Sequence, residues 1–201
     1  MDAVTGLQAG SNFHKGGLVS MGNVSRLLAA TAFGLVCVAG MARADVGPNT
    51  TLASDGMVFA NVSISVADLD KSVKFYKALG FEAGDVHALP GPVAKVLGAK
   101  AADAKLDIRF LKRDGVTLEL VHFTPAPKGK ASAGSATAVG LCHIAFRVDD
   151  VDRIAKIVKE NGGKTQDASR TKLGPAGQGI DILFATDPDG TQIELAGPVK
   201  G

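Results

Sequence analysis

The feature that most restricts how this chain can fold is that its second half repeats its first. The segment NVSISVADLDKSVKFYKALGFEAGD from Asn61 lies over HIAFRVDDVDRIAKIVKENGGKTQD from His143 at a constant offset of 82. Val66, Asp68, Asp70, Lys74, Lys77, Gly80 and Asp85 meet identical residues at Val148, Asp150, Asp152, Lys156, Lys159, Gly162 and Asp167. Further on, DGVTLEL from Asp114 lies over DGTQIEL from Asp189 at an offset of 75, so the first copy is seven residues longer in its middle. A repeat of this size is one supersecondary unit used twice. The extra length falls in PGPVAKVLGAKAADA from Pro90, read as a longer connection with one helical turn.

Each copy opens on alternating residues, the period of a half-buried strand, and changes to helical spacing after an Asp. Asp68 and Asp150 are the expected N-caps, and Gly80 and Gly162 the expected left-handed stops. Three further strands follow in each copy, near 82–88, 106–112 and 116–123, then 165–170, 180–186 and 191–197. Arg113-Asp114-Gly115 and Pro188-Asp189-Gly190 supply the hairpin turns. The unit is β-α-β-β-β, used twice, which gives an α+β fold. The chain divides into a leader over 1–44, a short connection over 45–58, one module over 59–128, a linker over 129–138 and a second module over 139–198.

Strand parity sorts the faces. Val62, Ile64 and Val66, like Ile144, Phe146 and Val148, form an apolar set that packs under a helix. Leu118 and Leu120 match Ile193 and Leu195 in the last strands, so Glu119 and Glu194 point the other way. Asn61 and His143 begin the first strands on that same polar side, and Arg147 follows His143 four residues along. His122 shares the parity of Leu118 and Leu120, which places it under the helix or at the strand end. His87, in the second strand beside the longer connection, is a candidate to reach the ligand. Cys142 shares parity with Ile144 and is expected to be a buried core residue.

The leader carries its own signal. Arg26 precedes the apolar run LLAATAFGLVCVAGMA, and Ala42-Arg43-Ala44 stands in front of Asp45. A run shorter than the roughly 20 apolar residues of a membrane span, ending in A-x-A, reads as a secretory signal cleaved after Ala44. Met21 is a more natural start for it than Met1, since a short segment with one Arg then precedes the apolar run, and neither start changes the mature chain. The expected location is periplasmic or secreted, with no membrane attachment after cleavage. Of the 22 Lys and Arg and 20 Asp and Glu, only Lys15, Arg26, Arg43 and Asp2 precede residue 45, so the mature chain is balanced in charge. That gives no electrostatic case for nucleic acid. Cys142 alone remains beyond the leader, so no internal disulfide forms.

The segments VSISVADLDKSVKFYKALGF, HIAFRVDDVD and DPDGTQIEL resemble the vicinal oxygen chelate superfamily, from about Phe59 to Pro198. That superfamily includes glyoxalase I, methylmalonyl-CoA epimerase, extradiol dioxygenases and bleomycin-resistance proteins. The resemblance implies two βαβββ modules pairing into an open, barrel-like, metal-binding sheet around a small-molecule substrate, in a monomer or homodimer. Carried over position by position, it places the divalent metal on Asn61, Glu119, His143 and Glu194. One imidazole with two carboxylates and an amide is an oxygen-rich set, which favours Mn, Mg, Fe, Co or Ni over Zn. Arg147, by pseudo-symmetry with an arginine of glyoxalase I, is implied to bind a substrate carboxylate, and His87 is a second candidate substrate contact by its place on the second strand alone.

Those ligands suit an isomerase, epimerase or lyase that deprotonates a carbon beside two adjacent oxygens, with Glu119 or Glu194 as general base or acid. Two alternatives stand beside it. Ring cleavage by an extradiol-type dioxygenase generally uses two His and one carboxylate on iron, and this set has one His. A non-catalytic binder of the bleomycin-resistance type fits the neutral Asn61.

Overall fold

The computed structural model describes residues 56–126, 128 and 139–201. The leader, its cleavage site and the 129–138 linker lie outside the described residues. The first copy forms β1 (Val62–Ser65), α1 (Leu69–Ala78), β2 (Glu82–Leu89), α2 (Gly91–Val96), β3 (Lys105–Arg113) and β4 (Val116–Thr124). The second forms β5 (Ile144–Arg147), α3 (Val151–Glu160), β6 (Lys164–Thr165), β7 (Thr171–Leu173), β8 (Ile180–Thr186) and β9 (Gln192–Pro198).

The helices start where the repeat places them. Asp68 and Asp150 are extended, and their carboxylates accept from the backbone N–H of Lys71 and Arg153, both at 3.0 Å. Each cap satisfies a donor that the first turn leaves without a helical partner. Gly80 and Gly162 both sit at φ +90°, where a side chain is strained. In the first hairpin Asp114 and Gly115 take φ values of 50° and 78°, the double left-handed pair that suits the twist of the flanking strands.

The two sheets are built alike, in the orders β1-β4-β3-β2 and β5-β9-β8-β6, with β7 also paired to β8. β1 runs parallel to β4, and β5 parallel to β9. The strand expected over 165–170 is broken instead into β6, a 3-10 turn at Asp167–Ser169, and β7. The Ser169 side chain explains the break. Its Oγ donates to the Gln166 carbonyl at 2.6 Å and accepts from the Phe184 N–H at 3.0 Å, replacing ladder bonds with a local turn.

One core joins the modules. Phe75 and Tyr76 of α1, Val151, Ala155 and Val158 of α3, and the helix-facing leucines and isoleucines of both sheets belong to a single buried cluster. The contact is close: a Cβ on Gly163 would lie 2.5 Å from the Thr186 carbonyl and 2.8 Å from the Phe75 ring. Tyr76, fully buried, donates its hydroxyl to Asp187 across the module boundary at 3.0 Å. The other Asp187 oxygen accepts from the backbone N–H groups of Asp189, Gly190 and Thr191 and so holds the turn before β9. Asp189 in turn accepts from Ser72 Oγ and the Ala67 N–H of the first module. The sheets remain separate, so the α+β arrangement is open and not closed into a barrel.

A second, smaller cluster lies on the opposite side of the first sheet. There Leu89, Leu106, Ile108 and Val121 are covered by Ala94 of α2 and Ala104. The extra residues of the first copy thus form a short helix that caps part of its own sheet. Among the described residues no helix is long and apolar enough to cross a membrane.

Candidate functional site

Each glutamate is placed by the alternation of its strand. Leu118 and Leu120 on β4, and Ile193 and Leu195 on β9, are buried in the shared core, so Glu119 and Glu194 fall on the outer side of their sheets. Cross-strand register surrounds the two carboxylates in the same way. Glu119 lies between Ser63 on β1 and Phe110 on β3. Glu194 lies between Ala145 on β5 and Phe184 on β8. Each carboxylate therefore has a small residue on one flank and a phenyl ring on the other.

The donors differ between the halves. Asn61 Nδ2 donates to Glu119 Oε2 at 2.7 Å, and Ser63 Oγ donates to the same oxygen in a short bond. In the second half His143 Nε2 is 2.8 Å from Glu194 Oε2. The His143 ring meets Phe184 edge to face at 5.5 Å, and its Nδ1 is buried without a partner among the described residues. The ring is oriented by aromatic packing, and Nε2 is the nitrogen it presents. Arg147 is exposed on β5, on the His143 side, paired in register with Ala196.

The structure thus brings Asn61 together with Glu119, and His143 together with Glu194, but not all four into one group. Among the described residues no cluster of three or more His, Cys, Asp or Glu side chains is placed to hold a metal ion. The reason lies in the packing of the modules. Both helices share one core, and each glutamate is on the side of its sheet away from that core. By donor type the residues fit a divalent cation, since Nε2 of His143 and Oε2 of Glu194 already converge. They do so as two halves.

The remaining candidates are placed individually. His87 is half-buried on β2, with its ring 6.0 Å from that of Phe110, so it belongs to the Glu119 face without touching the carboxylate. His122 sits at the strand end with Nδ1 3.2 Å from the Val66 carbonyl. Cys142 is a correction: it is half-buried just before β5, with its thiol 3.7 Å from the Gly140 carbonyl. Regular pairing begins only at Ile144, so strand parity does not extend to it. Phe110, Phe184 and Ser63 were not singled out by sequence. The two phenylalanines stand 74 residues apart while the glutamates stand 75 apart, because the hairpins differ in length, and this hides their equivalence.

Comparison with known proteins agrees with this architecture. Over 139 residues the chain is 27% identical to an ethylmalonyl-CoA/methylmalonyl-CoA epimerase of Cereibacter sphaeroides, covering 67% of this chain and 93% of that protein. Over 148 residues it is 29% identical to a probable lactoylglutathione lyase of Vibrio parahaemolyticus, covering 71% and 91%. The crystal structure of a glyoxalase family protein from Bacillus cereus superposes with a TM-score of 0.59 at 19% identity, covering 74% of this chain and 99% of that one. The sequence model of the Glyoxalase/Bleomycin resistance protein/Dioxygenase superfamily matches residues 58–195, and the chain belongs to that superfamily.

Proposed function

We propose that this protein moves a proton at a carbon beside two adjacent oxygens of a small molecule, as an isomerase, epimerase or lyase. The observation that carries the reading is the equivalence of Glu119 and Glu194. Each is central in its module's last strand, on the side away from the core, beside a phenyl ring and beside a donor. The names of the epimerase and lyase relatives point to the same class of reaction. Asn61, Glu119, His143 and Glu194 would hold a divalent cation of the Mn, Mg, Fe, Co or Ni type. When bound, it supplies Lewis-acid stabilisation of charge on the substrate oxygens.

The chain's own residues supply the rest. A carboxylate flanked by a phenyl ring is shielded from water on that side, and one glutamate accepts the proton from carbon while the other returns it to a neighbouring atom. His143 Nε2 keeps Glu194 oriented, while Asn61 and Ser63 do the same for Glu119. Arg147, exposed on the His143 side, would receive an anionic substrate group.

Because one chain holds two halves, we propose that a homodimer completes the site, with the first half of one copy facing the second half of another. Exposed Phe59 and Leu141 occupy equivalent places two residues ahead of Asn61 and His143, and β1 and β5 are both sheet edges. Such surfaces suit a contact with a second copy. We propose further, from the apolar run after Arg26 and the Ala42-Arg43-Ala44 site, that the reaction takes place outside the cytoplasm on a chain whose mature N-terminus is Asp45, which mass analysis of exported protein tests.

A second reading, non-catalytic binding, draws on Glu119, whose Oε2 is already engaged by two protein donors. Solvent deuterium incorporation into α-hydroxycarbonyl compounds separates the readings. Exchange supports the proposal. Tight binding without exchange selects the binder, and oxygen uptake with catechols and iron(II) selects ring cleavage.

A further inference from the structure

The two halves hold their glutamates differently, and the difference turns on one hydroxyl. Parallel pairing of β1 with β4 sets Ser63 beside Glu119, and the same pairing of β5 with β9 sets Ala145 beside Glu194. In the first half Asn61 Nδ2 donates to Glu119 Oε2 at 2.7 Å and to Ser63 Oγ at 3.1 Å, while Ser63 Oγ donates to that same Glu119 oxygen. The three side chains therefore form a closed triangle of hydrogen bonds. A carboxylate oxygen has two lone pairs, so two donors use the full accepting capacity of Oε2. None of the three bonds involves Glu119 Oε1 or the Asn61 carbonyl oxygen. In the second half His143 Nε2 lies against Glu194 Oε2, and Ala145 has no hydroxyl with which to add a second donor.

We infer that Ser63 is a positioning residue that keeps Glu119 a one-oxygen ligand and so selects which divalent cation the site accepts. The inference rests on the reading of Asn61, Glu119, His143 and Glu194 as the residues that hold that cation. For Glu119 to grip a cation with both oxygens, Oε2 must give up the Ser63 hydroxyl or the Asn61 amide, because a lone pair that accepts a proton donor is not also given to a metal. An octahedral cation of the Mn type held by one atom from each of the four side chains keeps two positions for the adjacent oxygens of a substrate. Calcium takes about six to eight oxygen ligands and readily accepts a carboxylate through both oxygens. A glutamate restricted to one oxygen therefore costs calcium more than it costs manganese. Ser63 builds that preference into the first half, and Ala145 leaves the second half without it.

The test uses the purified protein and two probes, Mn²⁺ alone and Ca²⁺ alone, with affinities measured by calorimetry. The native protein should bind Mn²⁺ more tightly than Ca²⁺. Ser63→Ala should lower the ratio of the two affinities about tenfold, the low end of what a hydrogen bond to a charged group contributes. Ser63→Thr keeps the hydroxyl and should keep the native ratio. The ratio is the deciding quantity, since a general loosening of the site lowers both affinities together. Circular dichroism checks that both variants keep their fold. Mn²⁺ binding with a ratio unchanged in Ser63→Ala, or one that falls equally in Ser63→Thr, overturns the role of Ser63 and leaves the metal reading standing. A native protein that binds neither cation overturns the metal reading and the role of Ser63 with it.

Discussion

Removing the Tyr76 hydroxyl while keeping its ring isolates the bond that ties the two modules together. Tyr76→Phe leaves the packing against Phe75 and Phe81 unchanged in volume, with those ring centroids at 5.1 and 5.8 Å, so no cavity forms. What is lost is one donor to a buried carboxylate. Asp187 Oδ2 then loses the Tyr76 donor, whereas Oδ1 keeps its three backbone donors. A hydrogen bond to a charged group is worth about 1.5–3 kcal/mol net, so the expected cost is about 2 kcal/mol. For a chain of this size that lowers Tm by roughly 4–8 °C. Burial raises the Asp187 carboxyl above its ordinary range, and the Tyr76 bond partly opposes that rise. A carboxyl raised in the folded state stabilises the fold fully below its unfolded pKa and loses that contribution as pH rises through the folded value. Without Tyr76 the carboxyl shifts further up, so the cost of Tyr76→Phe should be largest near neutral pH and smaller at about pH 4. Urea denaturation of both proteins across that range measures it. A pH-independent cost, or one below about 0.5 kcal/mol at neutral pH, would refute the view that this bond stabilises an ionised Asp187.

Other consequences follow from particular contacts. Gly163→Ala should destabilise the chain by about 1–3 kcal/mol, because its Cβ would collide with backbone and with Phe75 of the other module; thermal denaturation reads this directly. Arg170 makes a two-bond contact with the buried Asp181 at 3.0 and 2.6 Å, so Arg170→Ala should cost about 2–4 kcal/mol, while Arg170→Lys should recover part of it. His143→Ala should abolish stoichiometric divalent metal with the fold retained, and Asn61→His should tighten metal and shift preference towards zinc, both measured by metal analysis and calorimetry.

Local structure was legible because the repeat states each instruction twice. Asp68 and Asp150 cap their helices, Gly80 and Gly162 end them in the left-handed region, and the parity of Leu118 and Ile193 places both glutamates on the outer side of their sheets. The joining of the modules was not legible, since it depends on Tyr76 meeting Asp187 and Phe75 meeting Gly163 at separations with no local periodicity. The same is true of the site. Sequence puts Asn61, Glu119, His143 and Glu194 into one group, whereas the shared helical core leaves Asn61 with Glu119 and His143 with Glu194 as two separate pairs. Phe110 and Phe184 escaped because cross-strand neighbours depend on hairpin length, and the two hairpins differ. The broken strand around Ser169 was missed because a side-chain hydroxyl there replaces backbone pairing.

The central claim is that Glu119 of one copy and Glu194 of another serve one proton-transfer site. The most direct measurement mixes two impaired variants, Glu119→Gln and Glu194→Gln, and follows solvent deuterium incorporation into an accepted substrate. Each variant alone should lose roughly 100-fold to 10,000-fold in exchange rate, the range for lost acid–base catalysis. After subunit exchange, half of the dimers are mixed, and one of the two sites in each mixed dimer carries both native glutamates. Two-fold symmetry therefore predicts recovery to about a quarter of the native rate. Recovery of that size would support the account, and a mixture no more active than its components would contradict it.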